Sequence, residues 1–257
     1  MSTQAFEEIT IPDRPAKPRQ DGLTMVIDWG QGRAAQADWL EIGAPYIDLA
    51  KIAVGISRLL PADLLRKKIQ LYRQHQVIPF PGGQFLEYAV YHGQASDYLA
   101  AAQAVGYRWI EVSDNVIELT PQEKTGLIRL ARREFGLEVL GEVGSKVEGT
   151  SAAELIADIQ RCLDAGAAKV LVEAAELFGT DLNEQLIEEI TAAVPLDKLL
   201  FEVPGPWIPG IHRCDQYTTR AWLIHRFGPQ INLANIAPQD ILEVETMRRG
   251  IGVAALK

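Results

Sequence analysis

Four glutamates, Glu111, Glu142, Glu173 and Glu202, stand 31, 31 and 29 residues apart, each near the end of a short apolar run. The runs are YRWIEV from Tyr107, LEVLGEV from Leu137, KVLVE from Lys169 and LLFEV from Leu199. Nearly continuous apolar runs of this length suit strands of a sheet covered on both faces. A spacing of about thirty residues leaves room for one strand, one helix and their connections. The repeat therefore predicts a βα unit used again and again, with an acid delivered at the C-terminal end of each strand.

The rest of the chain extends the pattern. Leu23 to Ile27 reads as a first strand, ending at Asp28-Trp29-Gly30, and Tyr46 to Ile52 as a second, with Lys51 near its end. A helix from about Pro61 to Gln76 leads to a short third strand, Val77 to Phe80, closed by Pro81-Gly82-Gly83. Thr120-Pro121-Gln122-Glu123 and Ser151-Ala152-Ala153-Glu154 are capping boxes, which start helices by satisfying their first free N–H groups. Ile231 to Ile236 is the eighth strand candidate, and Pro238 opens a last helix that stops at Gly250. Eight strands alternating with helices predict a (β/α)8 TIM barrel in a single domain from residue 21 to 257. The 257-residue length suits that fold. Residues 1–20, with prolines in ITIPDRPAKPRQ and no periodicity, read as an extended or loosely docked tail.

Charge and composition narrow the partners. A net charge of −9 argues against nucleic acid and against an anionic membrane, both of which need a basic face. No apolar run approaches the ~18 residues of a membrane span, and no signal peptide opens the chain. The two cysteines, Cys162 and Cys214, lack metal-ligand or disulfide spacing, so a reduced, cytoplasmic chain is expected. No dinucleotide or Walker motif is present, and barrels of this size often form homo-oligomers.

In a barrel the strand ends converge on one mouth. That brings together Asp28, Lys51, Glu111, Ser113, Asp114, Glu142, Lys146, Glu173, Glu202, Asn232 and Asn235. Carboxylates gathered in a dry site must be protonated, be paired, or hold a cation. Oxygen ligands of this kind suit Mg²⁺, while pairing with Lys51 and Lys146 would make them structural ion pairs. Gly82 and Gly83, ahead of a short helix, have the makings of an anion cradle or of a plain tight turn. The long segment Pro204 to Gln216 carries Trp207, His212 and Arg213 and has the length of a lid. His75, His92 and His225 sit in helical or post-helical positions and read as structural.

The pieces GLTMVIDWG, YIDLAKIAVG, PGGQFLEYA, IEVSD, GEVGSK, LLFEVP and INLANIAPQDILEVETMRRG occur in this order from about Gly22 to Gly250. In that order the chain resembles the phosphosulfolactate synthase (ComA-like) family. The resemblance implies a (β/α)8 fold and a Mg²⁺-dependent lyase that adds sulfite to phosphoenolpyruvate. The product is 2-phospho-3-sulfolactate, an early compound of coenzyme M biosynthesis. It also embraces plant heat-stress-associated proteins, which leaves a non-catalytic barrel or a different small anionic substrate open. On this resemblance Lys146 is the proton donor, Lys51 binds phosphate or sulfite, and Gly82 and Gly83 match the family's PGG turn. Asp28 joins the two lysines as a candidate catalytic group. Glu142, Glu111 and Glu173 are the candidate metal ligands, and Ser113, Arg58, His212, Arg213 and Asn235 the remaining substrate contacts. The chain departs from the family pattern at Trp29, where a lysine is common, in IAVGISR, which adds Arg58, and in EAAELFG, where relatives tend to carry an arginine. A Schiff base on Lys51 or Lys146 is a further option.

Overall fold

The computed structural model describes residues 5–144, 150–178 and 182–253. Eight parallel strands run through it: β1 (Thr24–Asp28), β2 (Leu49–Ile52), β3 (Ile78–Pro81), β4 (Trp109–Val112), β5 (Glu138–Val143), β6 (Lys169–Val172), β7 (Leu199–Glu202) and β8 (Leu233–Ile236). The helices are α1 (Arg33–Gly43), α2 (Ile56–Leu59), α3 (Ala62–Gln74), α4 (Gly83–Tyr91), α5 (Ala95–Val105), α6 (Pro121–Arg133), α7 (Ala152–Ala165), α8 (Ala174–Leu177), α9 (Glu184–Ala193), α10 (Arg213–Phe227) and α11 (Ile241–Arg248). Strand order is β3-β2-β1-β8-β7-β6-β5-β4, so the sheet curls into a (β/α)8 barrel whose two ends, β3 and β4, meet at a seam. No paired ladder joins β3 to β4 among the described residues.

Both capping boxes form as their spacing dictates, at Thr120 with Glu123 and at Ser151 with Glu154. The second strand is shorter than the sequence suggests. Ala44–Tyr46 forms a 3-10 turn instead, consistent with Pro45, which has no N–H to give a sheet ladder.

Two apolar layers follow from strand alternation. Met25, Leu49, Phe80, Leu140, Leu171, Leu200 and Ala234 point inward and fill the barrel, all nearly or fully buried. Their alternate neighbours, such as Val26, Ile52, Val139, Val170 and Phe201, pack outward against the helices. Because side chains repeat with period two, the next inward residue above Leu49, Leu140, Leu171 and Leu200 is Lys51, Glu142, Glu173 or Glu202. The fold thus lifts four charged side chains onto one layer, above an apolar floor.

Residues 5–10 of the N-terminal segment are exposed, while Arg14, Lys17 and Arg19 tie the stretch after them to the barrel. Arg14 donates to the carbonyls of Pro229 and Gly22, each at 2.8 Å, and pairs with Glu245 at 3.3 Å. Lys17 donates to the carbonyls of Ala44 and His75, each at 3.0 Å, and Arg19 pairs with Asp48 at 2.9 Å. These carbonyls lie at loop and turn positions around the strand starts, and the three cations gather them. Arg14→Ala should therefore lower unfolding free energy by about 2–4 kcal/mol in urea melts, since it leaves Glu245 partly uncompensated. An unchanged urea midpoint would show that the segment adds no stability.

Candidate active site

Lys51 stands at the centre of the mouth. Its ammonium lies 2.9 Å from Glu111 Oε2, 3.1 Å from Glu202 Oε1 and 3.5 Å from Glu142 Oε2. Burial works against the charged lysine, but Glu111, Glu202 and Glu142 outweigh it and hold its pKa well above the ordinary value. Burial likewise dominates at Glu111 and raises its carboxyl well above the usual range, with Lys51 opposing and Glu142 and Glu202 reinforcing the rise. A lysine kept charged by three carboxylates makes a poor nucleophile, so the geometry speaks against a Schiff base on Lys51.

Beside this group, Glu142, Glu173 and Glu202 each present a carboxylate oxygen, and the three oxygens lie within 4.8 Å of one another. Three buried carboxylate oxygens converging on one point form a donor set that fits a hard divalent cation such as Mg²⁺. Glu111 is not part of this trio, although the sequence placed it among the ligands, and Glu202 takes its place. The reason is the seam. Glu111 Oε1 accepts the N–H of Gly83 at 2.9 Å, so a β4 side chain ties itself to the segment that follows β3. Ser113 reinforces the same seam by donating to Glu87 on α4, and Glu87 also accepts the Val116 N–H at 2.6 Å.

The cluster opens into a cavity of about 260 Å³. Its walls include Ile27, Ala53, Val54, Gly82, Gly83, Gln84, Asn115 and Asn235. Trp29 and Trp207 roof it, with ring centroids 5.6 Å apart, and they cover the space without filling it. Gly205 lies against the Trp207 ring with no room for a side chain. At Gly82 a Cβ would come within 2.8 Å of the Val54 nitrogen, so only glycine lets β3 end this close to the loop after β2. Val54 itself has φ of 42°, a strained setting for a β-branched residue, and it too lines the cavity.

Asn235 reaches the cavity by breaking the rule that places the others. Ala234 faces inward, so regular alternation would turn Asn235 out. Its left-handed backbone, φ 60°, coincides with a register shift against β1, where Thr24 pairs with Leu233 but Val26 with Ile236. Its Oδ1 is buried with no hydrogen-bond partner among the described residues.

Several expected residues lie elsewhere. Asp28 alternates outward and is fully buried on the α3 side. It accepts from Gly30 N at 2.8 Å and from Lys68 at 2.5 Å, and also from the Tyr72 hydroxyl, so the catalytic expectation is corrected to a structural placement. Gly83 borders the cavity, but its N–H is given to Glu111 rather than offered to an anion. Ser113 does not border the cavity, because its hydroxyl is committed to the seam. Arg58 is exposed on α2. His212 caps α10 with its N–H on Asp215 at 2.7 Å, and Arg213 pairs with Asp240 at 2.8 Å, so neither reaches the cavity. Asp114 pairs with Lys124 at 2.9 Å, and Asn232 bonds Leu23 N at 2.8 Å. Lys146 lies outside the described residues. Asn115, which donates to Glu142, was not singled out in the sequence, where nothing but its nearness to a strand end marks it.

Residues 12–253 match the family described as (2R)-phospho-3-sulfolactate synthase (ComA). The chain is 33% identical over 263 residues to the phosphosulfolactate synthase of Methanothermobacter thermautotrophicus, covering 96% of this chain and 95% of that protein. It is 31% identical over 244 residues to the protein of the same name from Methanocaldococcus jannaschii, covering 90% and 92%. Among solved structures it is similar in fold to 3-hexulose-6-phosphate synthase from Salmonella typhimurium, with a TM-score of 0.58 and 11% identity over 89% of this chain and 99% of that one.

The placement of Asp28 makes a test. Asp28→Asn leaves Lys68 buried without its counter-charge, so unfolding free energy should fall by about 3–5 kcal/mol in chemical denaturation. A loss below about 1 kcal/mol would contradict the buried pair as drawn.

Proposed function

The chain belongs to the (2R)-phospho-3-sulfolactate synthase (ComA) family and is an enzyme of the lyase type, and from that premise we propose that it adds sulfite to phosphoenolpyruvate with the help of Mg²⁺. The product would be 2-phospho-3-sulfolactate. The observation that carries this reading is the convergence of Glu142, Glu173 and Glu202 within a roofed cavity of small-molecule size.

Sulfite sulfur forms a bond to the methylene carbon of the enol phosphate, and the displaced electron pair moves toward the carboxylate. The neighbouring carbon then takes up a proton. Glu142, Glu173 and Glu202 would hold the Mg²⁺. When bound, such an ion supplies charge stabilisation for an oxygen that becomes more negative during addition. Lys146, assigned through the family's loop, is the proton donor in this proposal. Trp29 and Trp207 line the same cavity with their rings in contact, and would offer apolar surface beside the substrate. Asn235 offers a neutral buried acceptor, suited to a bound water or other donor on the substrate side. The chain holds no helix long and apolar enough to cross a membrane among its described residues.

The direct assay follows phosphoenolpyruvate consumption with and without sulfite, and with and without Mg²⁺. Turnover should require both, and Lys146→Ala should lose about 10²–10⁴-fold in kcat while its circular dichroism is unchanged. Absence of sulfite-dependent consumption would overturn the reaction, and full activity of Lys146→Ala would overturn the role of that lysine alone.

A further inference from the structure

Lys51 and the metal trio share ligands. Two of the three carboxylates within reach of the Lys51 ammonium, Glu142 and Glu202, are also two of the three that converge on the candidate metal point. The ammonium is 12% exposed as a side chain, and its partners are 2–4% exposed, so solvent does little to screen one charge from another. A dication entering this cluster therefore meets a fixed positive charge bound to its own ligands.

We infer that Lys51 is a positioning residue that acts as the resident counter-ion of the cluster and competes with the divalent cation for Glu142 and Glu202. This rests on the metal reading of the trio given above and deepens it. Without a counter-ion, four carboxylates from β4, β5, β6 and β7 would repel one another across the mouth. With Lys51 in place, Glu111, Glu142 and Glu202 are held together before any ion arrives. When a dication takes the two shared carboxylates, the ammonium keeps Glu111, which lies at 2.9 Å and is itself fixed to Gly83. The charge of Lys51 is then less neutralised and, on the reaction proposed above, free to meet the anionic substrate in the cavity it lines. Metal entry and anion capture are then coupled through this one side chain.

The test measures binding, not turnover. Mn²⁺ is titrated into the full chain and free Mn²⁺ is counted by electron paramagnetic resonance, with phosphoenolpyruvate absent. Lys51→Met and Lys51→Gln remove the competing charge, and Lys51→Arg retains it. The two neutral variants should bind Mn²⁺ at least tenfold more tightly than the wild-type chain, and Lys51→Arg should stay within about threefold of it. Damage to the cluster would weaken binding, so a gain cannot arise from misfolding, and two neutral variants guard against one failing to fold. A second arm repeats the titration with phosphoenolpyruvate present. The wild-type chain should bind Mn²⁺ more tightly in its presence, and Lys51→Met should show a smaller gain. Equal or weaker Mn²⁺ binding by both neutral variants would overturn the competition while leaving the metal reading standing. No Mn²⁺ binding by any of the four proteins would overturn the metal reading and the inference with it.

Discussion

One ammonium in a ring of carboxylates decides what the barrel mouth can be. Lys51 rises from β2, and its partners Glu111, Glu142 and Glu202 stand on β4, β5 and β7, so the contacts cross the barrel and do not follow neighbouring strands. Buried like charges would otherwise force protons onto the acids or push the strands apart. Glu111 serves two structures at once. One oxygen meets Lys51 and the other takes the Gly83 N–H, so the same residue anchors the ion cluster and fastens the unpaired seam between β3 and β4. The position where the sheet ladder is missing is thus the position where a site residue closes the barrel.

Much of the fold could be read from the sequence because its signals are local and periodic. The apolar runs, the two capping boxes and the spacing of the glutamates all depend on residues near one another in the chain. The site was legible in part for the same reason. Period-two alternation, counted from Leu140, Leu171 and Leu200, lifts Glu142, Glu173 and Glu202 inward. What could not be read was the parity of the remaining strand ends. Asp28 sits one residue beyond the inward Ile27 and so turns toward α3, where Lys68 and Tyr72 receive it. Asn235 would have turned out by the same logic, and only its left-handed backbone brings it to the cavity. Glu111 has the correct parity but is claimed by a partner far away in sequence, Gly83, which no spacing along β4 reveals. Arg213 is drawn off by Asp240 in a long-range ion pair, and His212 stands at the N-cap of α10, where its backbone N–H meets Asp215.

The barrel scaffold and the chemistry separate cleanly here. Solved structures of similar fold share as little as 11% of this sequence over 89% of its length, so they carry the architecture and not the site. What distinguishes this chain, among the described residues, is what it raises above its apolar floor: four glutamates, Lys51, and two tryptophans that line the same cavity. The docked N-terminal segment belongs to the opposite end of the barrel, where Arg14, Lys17 and Arg19 bind carbonyls and acids, and its cost or benefit falls on stability.

We propose the trio of carboxylates as a divalent-cation site inside the mouth. Crystals of the protein soaked in Mn²⁺ and measured at the manganese absorption edge test it most directly. A single anomalous peak bounded by Glu142, Glu173 and Glu202 is the result expected. A peak elsewhere on the molecule, or none at the cluster with Lys51 still bridging Glu142 and Glu202 at saturating Mn²⁺, would contradict it.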